Sequence, residues 1–175
     1  PPSRASPAIV TGTRRGASGA RARRMSAVDD MRLMGLAIDE AARAPSHGDV
    51  PVGCVISRDG EVIAAARNER ELRADPTAHA EVLAIRAAAL ALGGWRLIGC
   101  EMHVTLEPCP MCAGAILSAR LERVVFGASD PKLGAAGSRV DLLPDPRLHG
   151  TPIEESGPCA ERSASLLQGF FTARR

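Results

Sequence analysis

Aromatic side chains are scarce in this sequence. Its 175 residues include one tryptophan, three phenylalanines and no tyrosine. Proteins that bind single-stranded nucleic acid without base specificity stack successive bases on aromatic rings, so this composition argues against a broad stacking surface. Long apolar runs are also missing: none reaches the ~18 residues of a membrane-spanning helix, and none forms the core of a signal peptide. We therefore expect a cytoplasmic protein without membrane spans.

Cysteine is present in an odd number, and only one pair is close in sequence. The five cysteines include Cys109 and Cys112 in C-x-x-C spacing. In a chain without an export signal, this spacing favours metal binding over disulfides. The other cysteines and histidines are isolated, and we expect them to be core or surface residues: Cys54, Cys100, Cys159, His47, His103 and His149.

Acidic residues are absent from the first 24 positions, which contain six arginines. Residues 25–175 then hold 16 basic and 20 acidic side chains, so the body of the chain is mildly acidic although the formal net charge of the whole is +2. With almost no large apolar residue, 1–24 cannot bury enough surface to fold. We predict a disordered basic extension over 1–24 and one folded domain over 25–175. A nucleic-acid-binding arm and a transit peptide are alternative interpretations of the extension.

The hydrophobic pattern predicts alternating helices and strands, and hence an α/β fold with helices on both faces of one sheet. Asp59-Gly60 is a hairpin signal between the first two strands. Glycine and proline predict loops throughout 130–157. The predicted helices cover 29–44, 78–92, 110–120 and 160–174, and the predicted strands cover 50–57, 61–68, 101–107 and 123–128.

Two predicted helix starts carry the residues that point to chemistry. Cys109 and Cys112 are three apart, so both sulfurs face one side of a first helical turn, whose positive end favours the thiolate. Together with His79 they make three zinc ligands, and a fourth position left open is typical of catalytic zinc. Glu81 follows His79 by two residues and is suited to general acid/base chemistry. Taken alone, a histidine and a glutamate at a helix start are more often capping or surface residues.

The H-x-E and P-C-x-x-C pattern is the signature of zinc nucleobase deaminases. On that signature and its flanking segments, the sequence resembles the bacterial tRNA-specific adenosine deaminases of the cytidine/deoxycytidylate deaminase superfamily. The resemblance covers nearly all of 29–175 and is weakest over 149–163, where the family's last strand would lie. The matching segments are 49–53, 75–81, 104–115, 123–128, 132–138 and 166–175.

The resemblance implies a three-layer α/β/α cytidine-deaminase-like sandwich around one mixed sheet. It implies one zinc ion per subunit, held by His79, Cys109 and Cys112, with Glu81 as the catalytic acid/base. The implied reaction converts the wobble adenosine of a tRNA anticodon loop to inosine. The implied assembly is a homodimer.

The resemblance also assigns substrate contacts. Asn68 falls where the family contacts the purine ring, and Val52 and Leu106 fall where it walls the base. Asp130 matches a position near the backbone of the flipped nucleotide.

The zinc signature alone leaves other functions open. Deaminases of a free base or nucleoside, such as guanine or cytosine, share the architecture, and a non-catalytic zinc-stabilised RNA-binding module is a third possibility. The closing helix favours tRNA, because it is part of the match. We predict that Phe170 and Phe171 pack in the core, whereas Arg174 and Arg175 either contact phosphate or stabilise the helix end.

Overall fold

The computed structural model describes residues 26–148, 150 and 152–174. The predicted extension over 1–24 lies outside these residues, as does His149. Within the described part of the chain, the elements are α1 Ala27–Ala41, a 3-10 turn Ala44–His47, β1 Gly53–Arg58, β2 Glu61–Arg67, α2 Arg70–Arg73, α3 Ala80–Ala91, β3 Cys100–Leu106, α4 Pro110–Ala119, β4 Arg123–Ala128, β5 Ile153–Ser156 and α5 Ala160–Thr172.

The five described strands form one mixed sheet in the order β2-β1-β3-β4-β5. β1 pairs antiparallel with both β2 and β3, whereas β3, β4 and β5 run parallel. Asp59 and Gly60 have φ values of 51° and 82°, the left-handed pair that a two-residue hairpin turn requires. The hairpin prediction is confirmed. The parallel strands β3 and β4 end at the same edge of the sheet, and this edge carries the candidate site.

Helices cover both faces of the sheet, as the sandwich prediction requires. Alternate residues of β1 face opposite sides: Cys54 and Ile56 pack with α3 and α4, whereas Val55 packs with α1. The layer formed by α3 and α4 is rich in alanine, which lets these helices lie close to the sheet. On the opposite face, Gly53 allows a close crossing, since a Cβ there would lie 2.0 Å from the carbonyl oxygen of Ala37. The three-layer α/β/α architecture is confirmed.

A buried charge cluster joins α1 to the centre of the sheet. Arg123 donates to Asp30 at 2.7 and 2.8 Å, to Glu101 at 3.0 Å and to Glu155 at 2.6 Å. His103 is fully buried, and its Nε2 lies 2.9 Å from Asp30, so the core interpretation of this histidine is confirmed. Removing one member would leave buried charge uncompensated, which costs more than the pairs contribute.

Two short elements differ from the sequence prediction. β5 lies within 130–157, where only loops were predicted; its four residues include two glutamates and show no apolar alternation, so its pairing with β4 left no hydrophobic pattern to detect. α2 is a single turn of four residues, too short for helical periodicity to register. The remaining predicted elements are present, with ends displaced by a few residues.

Candidate active site

His79 and Cys109 are the N-cap residues of α3 and α4. Both have extended backbone, with ψ of 151° and 170°, and the helical conformation begins at the next residue. Neither side chain makes a capping hydrogen bond to its own helix, so each can face a shared centre. This geometry explains how His79 and Glu81, only two residues apart, serve one centre although mid-helix residues at this spacing would diverge.

The three predicted ligands come together. Nδ1 of His79 lies 3.8 Å from Sγ of Cys109 and 3.5 Å from Sγ of Cys112, and all three donor atoms lie within 4.8 Å of one another. Zn–S and Zn–N bonds of about 2.3 and 2.0 Å at a tetrahedral angle would separate nitrogen and sulfur by about 3.5 Å. The donor types and spacing therefore fit a metal ion such as zinc.

The two thiols are electrostatically unequal in the metal-free protein. A hydrogen bond from Cys112, assisted by one from His79, lowers the pKa of Cys109 to about 4. The same hydrogen bond, together with burial, raises the pKa of Cys112, so the pair holds one thiolate and one thiol. The hydrogen bond to Cys109 also raises the pKa of His79. Cys109 is therefore the more acidic of the two thiols.

Glu81 is buried beside these ligands, with 4% of its surface exposed. Burial raises the pKa of its carboxyl above the ordinary 4.5. Among the described residues, its interactions are with its own backbone amide and with the metal-site side chains, so no external peptide amide holds it in the ionised form. A buried carboxyl with a raised pKa beside metal-ligand side chains is suited to general acid/base chemistry.

A cavity of about 560 Å³ opens above this centre. It lies at the sheet edge where β3 and β4 end, and Leu167, Gln168 and Phe171 of α5 close one side. Cys112 is fully buried behind its floor. The other predicted site residues all line the cavity: Val52, Asn68, His79, Glu81, Leu106, Cys109 and Asp130.

Asn68 presents a buried acceptor at the cavity. Its Nδ2 donates to the carbonyl oxygen of Val50 at 3.3 Å. Its Oδ1 is buried without a hydrogen-bond partner in the described part of the chain. A buried amide oxygen without a partner is costly, so this acceptor is available to a water or a ligand in the cavity. The backbone of Asn68 is fixed through Val52, whose carbonyl oxygen accepts from its amide at 2.9 Å.

Asp130 lines the cavity but also shapes its own turn. One carboxylate oxygen accepts from the amides of Lys132 at 2.9 Å and Leu133 at 3.2 Å. This turn brings the exposed Lys132 to the rim, while Arg70 of α2 reaches the same cavity. Sequence reasoning did not single out these two cations. The charge of a rim side chain depends on which loops meet there, and sequence spacing does not reveal that.

The last helix corrects the prediction for one phenylalanine. Phe171 is 52% exposed and lines the cavity, so the expectation that it packs in the core is wrong. Phe170 is partly buried and lies edge-to-face with Phe171 at 5.4 Å between ring centroids. The guanidinium of Arg174 stacks 4.2 Å above Phe170, on the other side of α5. That side borders a separate groove of about 750 Å³ against α1, which contains none of the predicted site residues.

Comparison with known proteins gives the same picture. A sequence profile of the MafB19-like deaminase family matches residues 28–175. A tRNA-specific adenosine deaminase of Bacillus subtilis is 47% identical over 146 residues, which are 83% of this chain and 91% of the relative. A homologous enzyme of Haemophilus influenzae, also a tRNA-specific adenosine deaminase, is 43% identical over 147 residues, 83% of this chain and 85% of the relative.

Solved structures agree with these relatives. One comes from work on A-to-I editing by tRNA:A34 deaminases at the wobble position of transfer RNA; it has a TM-score of 0.76 and 45% identity, and the match covers 78% of this chain and 99% of that one. A guanine deaminase of Bacillus subtilis has a TM-score of 0.56 and 31% identity, covering 82% and 92% of the two chains.

The sandwich with its His/Cys/Cys cluster and adjoining glutamate defines a deaminase. The relatives above 40% identity place the chain in a narrower group of deaminases. The chain belongs to the tRNA-specific adenosine deaminase family.

Proposed function

We propose that this protein hydrolyses the wobble adenosine of tRNA to inosine, with release of ammonia. The observation that carries the proposal is the buried Glu81 beside three metal-ligand side chains at the floor of an open cavity. The similarity to tRNA-specific adenosine deaminases across most of the chain supports the choice of substrate.

We propose that the cofactor is zinc, one ion per subunit, held by His79, Cys109 and Cys112. Bound zinc acts as a Lewis acid that makes water a nucleophile at neutral pH. The protein supplies the rest of the chemistry. Two thiols and one imidazole leave a coordination position free, and the half-buried ligands His79 and Cys109 border the cavity from which water and substrate would approach.

Glu81 has the proton-transfer role in this proposal. It accepts one proton from the attacking water and delivers it to a ring nitrogen of adenine. It then takes the second proton of that water from the hydroxyl added to the ring carbon and delivers it to the amine, so that ammonia leaves and the carbonyl of inosine forms. Burial raises the pKa of Glu81, which makes its carboxylate a stronger proton acceptor than an exposed glutamate.

Recognition of the base rests on the cavity wall. Oδ1 of Asn68 is the acceptor available for an N–H of the flipped purine, while Val52 and Leu106 provide apolar contact with the ring. An anticodon loop is single-stranded, so its base can be splayed into a pocket at low cost. Arg70 and Lys132 at the rim offer positive charge to the flanking phosphates, near Asp130, which we place beside the nucleotide backbone.

The remaining features follow from the family resemblance. We propose a homodimer that acts on tRNA in the cytoplasm, with a folded domain over 25–175 and a separate basic extension over 1–24. The family profile begins at residue 28, which supports that boundary. No helix among the described residues is long and apolar enough to cross a membrane.

The proposal is tested by incubating purified, zinc-loaded protein with an arginine tRNA that has adenosine at the wobble position. Free guanine, cytosine and adenosine are assayed in parallel. Inosine at the wobble position of the tRNA is the expected product. Deamination of the free compounds alone would contradict the proposal and favour a small-molecule deaminase, the activity named for the guanine deaminase structure.

A further inference from the structure

Glu107 is a buried carboxylate outside the catalytic set. It follows β3, lies two residues before Cys109, and is 2% exposed. Its Oε1 accepts from the amides of Ala136 and Ser138, each at 3.0 Å. Its Oε2 accepts from the amide of Asp130 at 2.9 Å and from the hydroxyl of Ser138. Four donors of the 129–138 segment therefore converge on one side chain.

This arrangement requires a group that only accepts. An ionised carboxylate has two acceptor oxygens and no donor. A glutamine at the same place would turn an NH₂ group towards two donors, whichever way its amide lies. The two oxygens are thus both needed, and the requirement is one of charge and hydrogen bonding, since glutamine has nearly the same shape.

The 129–138 segment is packed tightly against this carboxylate. A Cβ on Gly134 would lie 2.4 Å from Cδ of Glu107 and 2.5 Å from the carbonyl oxygen of Asp130, so only glycine allows the approach. The amide of Ala135 donates to the carbonyl oxygen of Pro108 at 2.8 Å. The segment is therefore attached on one side to the residues that lead into Cys109.

The other side of the same segment forms the cavity wall. Ser129, Asp130, Pro131, Lys132 and Leu133 line the cavity, and Lys132 and Leu133 are exposed at its rim. Glu107 also borders the cavity, next to these residues. We propose that Glu107 is a positioning residue: it holds the 129–138 segment as the substrate-binding wall above the metal centre and thereby sets affinity for the RNA. This inference depends on the proposed function for its substrate.

The test compares Glu107→Gln with Glu101→Gln. Glu101 is the matched control, because it is a buried glutamate at the opposite end of β3, bound to Arg123 and outside the cavity lining. Hydrogen exchange, zinc content and steady-state kinetics on an anticodon stem-loop are measured for both variants. For Glu107→Gln we expect faster exchange of the amides of 130–138, unchanged zinc stoichiometry, and a KM raised about tenfold or more with kcat nearly retained, the equivalent of about one buried hydrogen bond. Glu101→Gln should leave exchange in this segment and KM unchanged.

Two further variants approach the contact from the segment itself. Gly134→Ala should raise KM in the same way without altering Glu107, and Ser138→Ala, which removes one hydroxyl donor, should have a smaller effect. They also keep the test decisive if Glu107→Gln does not fold. A variant with slow exchange over 130–138 and unchanged KM would overturn the proposal, as would loss of zinc with unchanged KM. If the wild-type protein does not act on tRNA, the proposed function fails, while the exchange measurement still decides whether Glu107 holds the wall.

Discussion

Two buried glutamates of the same cavity have opposite electrostatic environments. Glu81, in the floor formed with His79, Cys109 and Cys112, has a raised pKa because its hydrogen bonds and the charge of His79 offset burial only in part. Glu107 supports the wall; burial also raises its pKa, but the hydrogen bonds from Ser138 and the amides of Asp130 and Ala136 outweigh burial and lower it. Equal burial therefore does not mean equal chemistry. Glu81, whose only peptide donor among these interactions is its own amide, is suited to proton transfer, whereas the donors around Glu107 favour its ionised form.

A second buried carboxylate repeats the wall's design on the opposite side of the cavity. Asp49 is fully buried and accepts from the amides of Glu71 at 2.8 Å and Leu72 at 3.1 Å, at the start of α2. His47 contacts the same carboxylate at 2.8 Å. Burial raises the pKa of Asp49, but these hydrogen bonds outweigh it and lower the pKa below 3.8. Both flanks of the cavity are thus held by ionised side chains that make no contact with the metal centre.

The largest expected effect on turnover comes from replacing Glu81, the proposed proton-transfer residue. Glu81→Gln should lower kcat by about 10² to 10⁴-fold, because the proton-transfer group is lost while shape is retained. Zinc content, measured by elemental analysis, should stay at one ion per chain. Inosine formation on the stem-loop is the readout. Substantial turnover by this variant would contradict the assignment of Glu81 and remove the distinction between floor and wall.

The next effect concerns recognition. Asn68→Ala removes the buried acceptor of the cavity, and we expect kcat/KM on the stem-loop to fall by roughly 10 to 100-fold, equivalent to about 1–3 kcal/mol. Zinc content should not change, since no metal-site atom is bonded to Asn68. Val50 also lines the cavity and accepts from Asn68 through its backbone carbonyl, so Val50→Ala controls for lost apolar contact there while keeping the Asn68 acceptor. Equal losses in both variants would argue against a specific acceptor role.

The floor was readily predictable from sequence, for a physical reason. Metal ligation requires particular side chains, which can be recognised in a sequence. Their short spacing at the helix starts His79 and Cys109 then determines which way they face. The sheet was equally accessible where strands are apolar. β5 was not predicted because most of its residues are polar, and only its pairing with β4 identifies it as a strand.

The wall was much less predictable. Glu107 acts through four donors that lie 23 to 31 residues away in sequence. A weak signal existed, because an acid at the end of a buried strand must find partners. Nothing local indicates that these partners belong to a cavity wall. Phe171 was misjudged because an apolar residue is usually buried, and only the position of α5 shows that it borders an open cavity.

The contrast between Glu81 and Glu107 should also appear in the pH dependence of the free energy of unfolding, with effects of about 1–3 kcal/mol. Glu107 has a folded pKa below its ordinary 4.5, so its contribution is present above pH 4.5 and is lost as pH falls through the folded value. Glu81 has a folded pKa above 4.5, so the metal-free protein loses stability as pH rises through that value. Denaturant unfolding of metal-free protein should therefore show Glu107→Gln less stable than wild type at neutral pH, converging below pH 4.5.

Glu81→Gln should behave oppositely in the same measurement. We expect it to be at least as stable as wild type at neutral pH, because a neutral amide replaces a carboxyl that is costly to ionise. The difference should shrink as the pH is lowered towards 4.5. Two variants that both lose stability at neutral pH would show that the glutamates share one environment.

A smaller effect is expected from the two faces of α5. Phe171→Ala should raise KM several-fold, since its exposed ring lines the cavity and contacts there exclude water. Arg174→Ala is the matched change on the other side of the helix, where the guanidinium stacks on Phe170, and it should alter KM less. Stem-loop kinetics at two salt concentrations provide the comparison. A larger, salt-dependent effect of Arg174→Ala would instead make that face a phosphate contact.

The smallest effect should come from deleting residues 1–24, because the family match begins at residue 28. If the cavity alone binds the anticodon loop, the deletion should change kcat/KM on a stem-loop by less than about twofold, within the range of neutral substitutions in a binding surface. The six arginines of this segment are the alternative source of affinity. If the extension is a nucleic-acid-binding arm, deleting it should lower the affinity of the protein for RNA. The loss should shrink as salt rises, because salt weakens phosphate contacts in the intact chain more than in the truncated one. The logarithm of affinity is plotted against the logarithm of salt concentration for both chains over about 50 to 200 mM. Parallel lines place recognition in the cavity, and converging lines assign part of it to the extension.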